Sequence, residues 1–114
     1  MVDHEPLTIN IVTIFPEFFE TPLVTSIPGR AEREGLVRYR VVDLRDFTTD
    51  AHRTVDDAPY GGGAGMVMKP EPFFEAVEHL RPFGPVVLLS ARGRIFEHRD
   101  AVRYAVQPEL TLLC

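Results

Sequence analysis

Three strand-like segments constrain this chain more than any other feature: residues 7–15 (LTINIVTIF), rich in β-branched residues, and the nearly unbroken apolar runs 86–90 (VVLLS) and 110–114 (LTLLC). A strand with one wet face alternates apolar and polar residues. Runs apolar on both faces belong instead to parallel sheets covered by helices on both sides. The segments between them carry the covering elements. Pro16 suits the first position of a helix bearing Phe18, Phe19 and Leu23 and ending near 22–28. A second short helix is expected over 30–34, stopped by Gly35, followed by an alternating strand over 36–44. Phe73, Phe74, Val77 and Leu80 fall at helical spacing within 71–80, and 97–106 also reads as helical. The expected fold class is therefore α/β, a parallel sheet flanked by helices.

A length of 114 residues with 45% hydrophobic content accommodates one small domain or part of a larger one. No repeat or low-complexity stretch divides it. Residues 1–6 read as a short disordered tail. No apolar run reaches 18 residues and no leader pattern opens the chain, so neither a membrane partner nor secretion is expected and the compartment is cytoplasmic. The single cysteine, Cys114, permits no internal disulfide and no multi-cysteine zinc site, and no metal is expected.

The net charge of -5 argues weakly against a nucleic-acid partner, but distribution matters more than the total. Four of the 17 acidic residues, Asp3, Glu5, Glu17 and Glu20, lie in the first 20 positions. Arg92, Arg94, Arg99 and Arg103 face only Glu97 and Asp100 in sequence, a local positive surplus. Eleven of the 12 basic residues are arginine, whose planar fork suits phosphates and base edges. A solvated arginine-rich surface is the competing reading.

The segment 46–66 is too long, polar and glycine-rich for a plain connector, and irregular connections of this length tend to be binding loops. It gathers His52, Arg53, Asp56, Asp57 and Tyr60 ahead of Gly61, Gly62, Gly63 and Gly65. Without side chains, those glycines let backbone approach a flat ligand and offer it N–H groups. A flexible turn would use the same residues. A Walker phosphate loop is excluded, because the Gly-Lys-Ser/Thr ending is absent.

Phe15-Pro-Glu17, Gly29-Arg30-Ala31, Arg45-Asp46-Phe47, His52-Arg-Thr-Val-Asp-Asp57, Pro59-Tyr-Gly-Gly-Gly-Ala-Gly-Met66 and Leu89-Ser90 with Gly93-Arg94 stand in one order along the chain. That ordered set resembles the bacterial tRNA (guanine-N1)-methyltransferase family, TrmD, from about residue 8 to the last residue. The resemblance implies a SPOUT-class trefoil-knot α/β fold, an obligate homodimer and S-adenosyl-L-methionine as methyl donor. It also implies methylation at N1 of guanosine 37, beside the anticodon, so the partners would be the tRNA anticodon loop and a second copy of the chain.

Within that resemblance, the 46–66 loop contributes to the target-base pocket. His52, Arg53, Asp56, Asp57, Tyr60, Gly61, Gly62, Gly63 and Gly65 are its candidate tRNA-binding residues. Arg53 could hold a phosphate or a guanine edge. Asp56 and Asp57 could accept from guanine N1–H and N2–H, or pair with arginines of a partner subunit. N1 carries a proton and needs a base before it can attack a methyl group. In relatives the proposed base is an aspartate far downstream, so no catalytic residue is assigned within this chain. His52 has a suitable unperturbed pKa but equally suits a hydrogen-bonding loop position.

Leu88, Leu89, Ser90 and Ala91 stand where the family first contacts the methyl donor, and Cys114, which closes the last strand, is a fifth candidate donor-binding residue. An apolar wall with backbone polar groups suits adenine and ribose. Ala91 and Arg92 replace the proline and glutamine of the commoner Leu-Ser-Pro-Gln-Gly-Arg pattern, which removes the rigidity a proline would supply. Ligand loops in parallel sheets begin just beyond the strands' carboxyl ends, and the chain stops at one. It is therefore expected to be the N-terminal part of the methyltransferase domain. Relatives continue with a Gly-Arg-Tyr-Glu-Gly loop, a second donor loop and a helical domain. By itself the chain is expected to be inactive and to bind S-adenosylmethionine weakly or not at all. The competing functions are a nucleotide-binding α/β module and a non-catalytic RNA-binding or dimerisation module.

Overall fold

In the computed structural model the described residues are 5–48, 56–57, 67–68 and 70–114. Four strands form one sheet: β1 (Leu7–Thr13), β2 (Val37–Asp43), β5 (Val86–Leu88) and β6 (Glu109–Leu113), in the order β2-β1-β6-β5. Every pairing in it is parallel, as expected from the sequence. Between β1 and β2 lies α1 (Ser26–Arg33), between β5 and β6 lies α3 (His98–Ala105), and α2 (Pro70–Leu80) precedes β5. A separate two-stranded ribbon pairs β3 (Asp56–Asp57) with β4 (Val67–Met68) antiparallel.

β1 is rich in β-branched residues, which suit a pleated strand held on both sides, and it occupies the middle of the sheet. Ile11 and Val12 are buried. Val12 packs with Leu44 and Ala76 in the core, where Val42, Phe47, Phe73, Leu80 and Leu113 close around them. Burying a side chain such as Leu44 completely contributes about 1.5–3 kcal/mol. Ala76 and Phe73 come from α2, so that helix covers the face of the sheet that carries Val12. The centre of the sheet also has a polar tie. Asn10 Nδ2 donates to Glu109 Oε2 at 2.9 Å and to Thr111 Oγ1 at 3.1 Å. Glu109 Oε1 in turn accepts from the Phe83 amide at 2.6 Å, fastening the chain ahead of β5 to β6.

Several expected elements take a different form. The helix expected after Pro16 is two short 3-10 turns, Pro16–Phe19 and Pro22–Val24, because a second proline follows before a full α-turn repeat is established. The helix expected over 30–34 begins earlier, at Ser26. The run at 86–90, expected to be buried on both faces, forms only Val86–Leu88 and lies at the sheet edge. There Val86 is 41% and Leu88 63% exposed, since no strand pairs on its outer side among the described residues. Within the expected irregular loop, Asp56 and Asp57 pair in register with Met68 and Val67, so its two limbs are joined by ladder hydrogen bonds. Expectations for residues 1–4 lie outside the described residues.

Among the described residues, Gly29, Gly35 and Gly84 are required by backbone geometry, Gly84 because a Cβ would strike the Glu109 carbonyl. A Cβ on Gly29 would strike the backbone of Val24, so the Gly29-Arg30-Ala31 motif lets α1 close against the preceding 3-10 turn. Gly35 adopts φ 78°, and around it the Gly35 amide donates to Glu32 O at 3.0 Å and the Leu36 amide to Ala31 O at 2.9 Å. This Schellman arrangement ends α1 and turns the chain into β2. Gly35→Ala meets no steric obstacle, yet it must hold a left-handed conformation. It is expected to destabilise the fold by about 1 kcal/mol, measured as a lower urea midpoint at unchanged slope.

Candidate functional site

Because all four sheet strands run parallel, their carboxyl ends lie at one edge of the sheet, where open α/β sheets bind ligands. The backbone continues the ladder just past the strand ends. The Leu89 amide donates to Leu113 O at 3.0 Å and the Cys114 amide to Val12 O at 2.9 Å. Two sequence motifs also meet at this edge. Arg45 Nη1 donates to Ile14 O at 2.8 Å and its guanidinium lies 6.0 Å from the Phe15 ring centroid. Phe47 of the same Arg-Asp-Phe motif packs with the core and lies 5.5 Å from the His79 ring.

Beyond β5 the chain turns back along α3 and encloses an open cleft of about 490 Å³. Leu88, Leu89, Ser90 and Ala91 all line it, so the structure gathers these four sequence candidates in one place. The opposite wall includes Arg94, Ile95, Phe96, Asp100 and Tyr104. The Gly93 amide donates to Ser90 O at 3.1 Å and the Arg92 amide to Ser90 Oγ at 3.1 Å. The Ser90 hydroxyl thus clasps the turn, a restraint that stands where proline rigidity was expected to be missing. The cleft thus combines apolar walls with a few fixed polar groups, the composition common in small-molecule sites.

Cys114 is placed elsewhere. It lines a neighbouring apolar pocket of about 560 Å³ with Thr13, Phe15, Phe18 and Phe19, and burial pushes its thiol pKa up. The structure does not bring it into the cleft with Leu88–Ala91. Of the loop candidates, Asp56 and Asp57 stand on β3. His52, Arg53, Tyr60, Gly61, Gly62, Gly63 and Gly65 lie outside the described residues. Among the described residues, no group of three or more His, Cys, Asp or Glu side chains could hold a metal ion. No helix among them is long and apolar enough to cross a membrane.

The arginine surplus of 92–103 is more tightly held than its sequence suggests. Arg99 pairs with Glu97 at 2.8 Å, while Arg94 and Arg103 both pair with Asp100, at 2.9 and 3.2 Å. Asp100 is only 2% exposed and also completes a reciprocal cap with Glu97 at the start of α3. In the sequence it stands only as one of two acids in a basic stretch. The spacing Glu97-x-x-Asp100 is the signal that marks it as a cap residue.

Hydrogen bonds from Arg94 and from the Glu97 amide, together with the charges of Arg94 and Arg103, hold the Asp100 carboxyl at about 2, below the ordinary 3.8. A folded-state value below the unfolded one means that the stabilisation is complete above 3.8 and is lost as pH falls toward 2. Chemical denaturation across this window is expected to show a steeper loss of stability for the wild type than for Asp100→Asn. Equal slopes would show that the pairing makes no net contribution.

A parallel α/β sheet with a cleft beyond a strand's carboxyl end places this chain in the class of open α/β domains, whose ligand crevices lie at that edge. Residues 7–114 match the family described as tRNA (Guanine-1)-methyltransferase TrmD. The chain belongs to this family. It is 52% identical over 109 residues to a tRNA (guanine-N(1)-)-methyltransferase of Dictyoglomus turgidum, covering 95% of this chain and 44% of that protein. The enzyme of the same name from Chloroflexus aggregans is 49% identical over 109 residues, covering 92% and 43%. The crystal structure of tRNA (m1G37) methyltransferase from Aquifex aeolicus superposes with a TM-score of 0.84 at 31% identity, covering 96% of this chain and 50% of that one. The chain therefore spans about half the length of the relatives it matches or less.

Proposed function

We propose that this chain is the N-terminal part of the methyltransferase domain of a cytoplasmic, homodimeric tRNA (guanine-N1)-methyltransferase acting on guanosine 37. The observation that carries this reading is the family match over 7–114, which includes the residues lining the cleft beyond β5. The reaction is that of the relatives described above, and the position of the base is that of the Aquifex aeolicus enzyme.

S-adenosyl-L-methionine would supply an electrophilic methyl group. Leu88, Leu89, Ser90 and Ala91 would hold its adenosine portion, with the apolar side chains excluding water from the bound face. The glycine-rich segment 61–65 and its neighbours His52, Arg53, Asp56, Asp57 and Tyr60 would meet the splayed guanine and its phosphates, as expected for recognition of a single-stranded loop. β3 and β4 anchor the base of that segment. The proton on guanine N1 would leave to an aspartate supplied by the longer protein. The trefoil knot would likewise close through that remaining sequence, so these 114 residues by themselves would bind the donor weakly.

The decisive experiment uses labelled S-adenosylmethionine and the full reading frame that carries this chain. Transcripts with guanosine at position 37 are expected to take label, and the same transcripts with adenosine there are not. Binding of tRNA with no transfer to either would favour a non-catalytic RNA-binding module. Leu89 is 57% exposed in the cleft. Leu89→Glu in the full protein is therefore expected to weaken donor binding roughly tenfold in calorimetry.

A further inference from the structure

The loop between β5 and α3 has few apolar contacts to hold it. Ile95 is 81% and Phe96 65% exposed, although both line the donor cleft. Its outgoing limb is fixed by the sheet and by Ser90. Its returning limb is fixed by one carboxylate. Asp100 Oδ2 accepts from Arg94 Nη1 at 2.9 Å and from the Glu97 amide at 2.9 Å. Asp100 Oδ1 lies 3.2 Å from Arg103 Nη2 on the next turn of α3. Arg94 and Glu97 bracket Ile95 and Phe96, so the two bonds to Oδ2 tie both ends of the cleft's outer wall to the first turn of the helix. The wall is braced further by the stacking of Phe96 on Tyr104, with ring centroids 6.3 Å apart.

We propose that Asp100 is a positioning residue for the methyl-donor site, acting through Arg94 to hold the 94–97 wall of the cleft at the spacing the donor needs. The proposal rests on the donor reading of this cleft. A helix cap alone would account for the Glu97 amide. It would not account for the charge-assisted bond to Arg94, which lies outside α3 on the cleft wall and gains strength because its acceptor is nearly buried. Asn at this position would keep the shape and one acceptor for the amide while losing the charge that holds Arg94.

The test uses the full reading frame carrying this chain, with S-adenosylmethionine, a guanosine-37 transcript and the variants Asp100→Asn, Arg94→Ala and the double substitution. Each single variant is expected to raise the donor Kd by calorimetry, and the donor KM, roughly tenfold, or about 1.4 kcal/mol. The kcat at saturating donor and the KM for the transcript should stay in place. The double variant should be no worse than the weaker single one, because both changes remove the same bond. A purely structural role would lower the melting temperature and the active fraction while leaving donor KM unmoved, and that result overturns the proposal. Should Asp100→Asn fail to fold, Arg94→Ala carries the same test, since the Arg94 side chain is 58% exposed. A wild type that binds no donor overturns the methyltransferase reading and this proposal with it. A wild type that binds donor, with variants that bind equally well, overturns the positioning role alone.

Discussion

Parallel pairing of β1 with β2 on one side and β6 on the other is the constraint on which the rest of this structure depends. Parallel strands cannot be joined by tight hairpins, so each return must pass over a face of the sheet, and α1, α2 and α3 are placed in those returns. The same pairing aligns the strand ends. Backbone bonds from Leu89 to Leu113 and from Cys114 to Val12 extend the ladder past its last residues, and Arg45 adds a side-chain bond to the Ile14 carbonyl. The candidate site is thus a consequence of strand direction before any side chain is considered.

Electrostatics at the site are arranged inside the chain as well as toward a ligand. Asp100 gathers two arginines and a backbone amide, and Glu97 holds a third arginine. The basic stretch that suggests phosphate binding in sequence is therefore partly committed to shaping the wall of a cleft. Arginine serves here because its fork can reach a carboxylate while the rest of its side chain remains exposed. A cation so held remains available to a polyanion at its outer surface, and it offers less attraction than an unpaired one.

The two proposed binding regions differ in what the described residues around them show. The cleft is built from strand ends and one helix turn, elements whose positions the core and the ladder fix. The 46–66 segment has short regular pieces, the 3-10 turn Leu44–Phe47 and the β3–β4 ribbon, on either side of its richest chemistry. Phe47 seats its start in the core beside Leu44. A loop tied at its base can present polar residues and backbone amides while its attachment stays fixed.

The sequence by itself determined the class of sheet, the helices over 71–80 and 97–106, the end of α1 at Gly35 and the family, because apolar periodicity, caps and ordered motifs are local or linear signals. It did not determine that 86–88 lies at the edge with Leu88 exposed, since apolar character marks a strand without stating what covers it. Nor did it separate Cys114 from the cleft that Leu88–Ala91 line, because neighbouring strand ends can face different pockets. The role of Asp100 was also beyond it: a carboxylate six residues from Arg94 becomes its partner only when the chain folds back beyond β5. Tertiary structure decided these points because each depends on what lies across a gap in space, and spacing along the chain does not encode that.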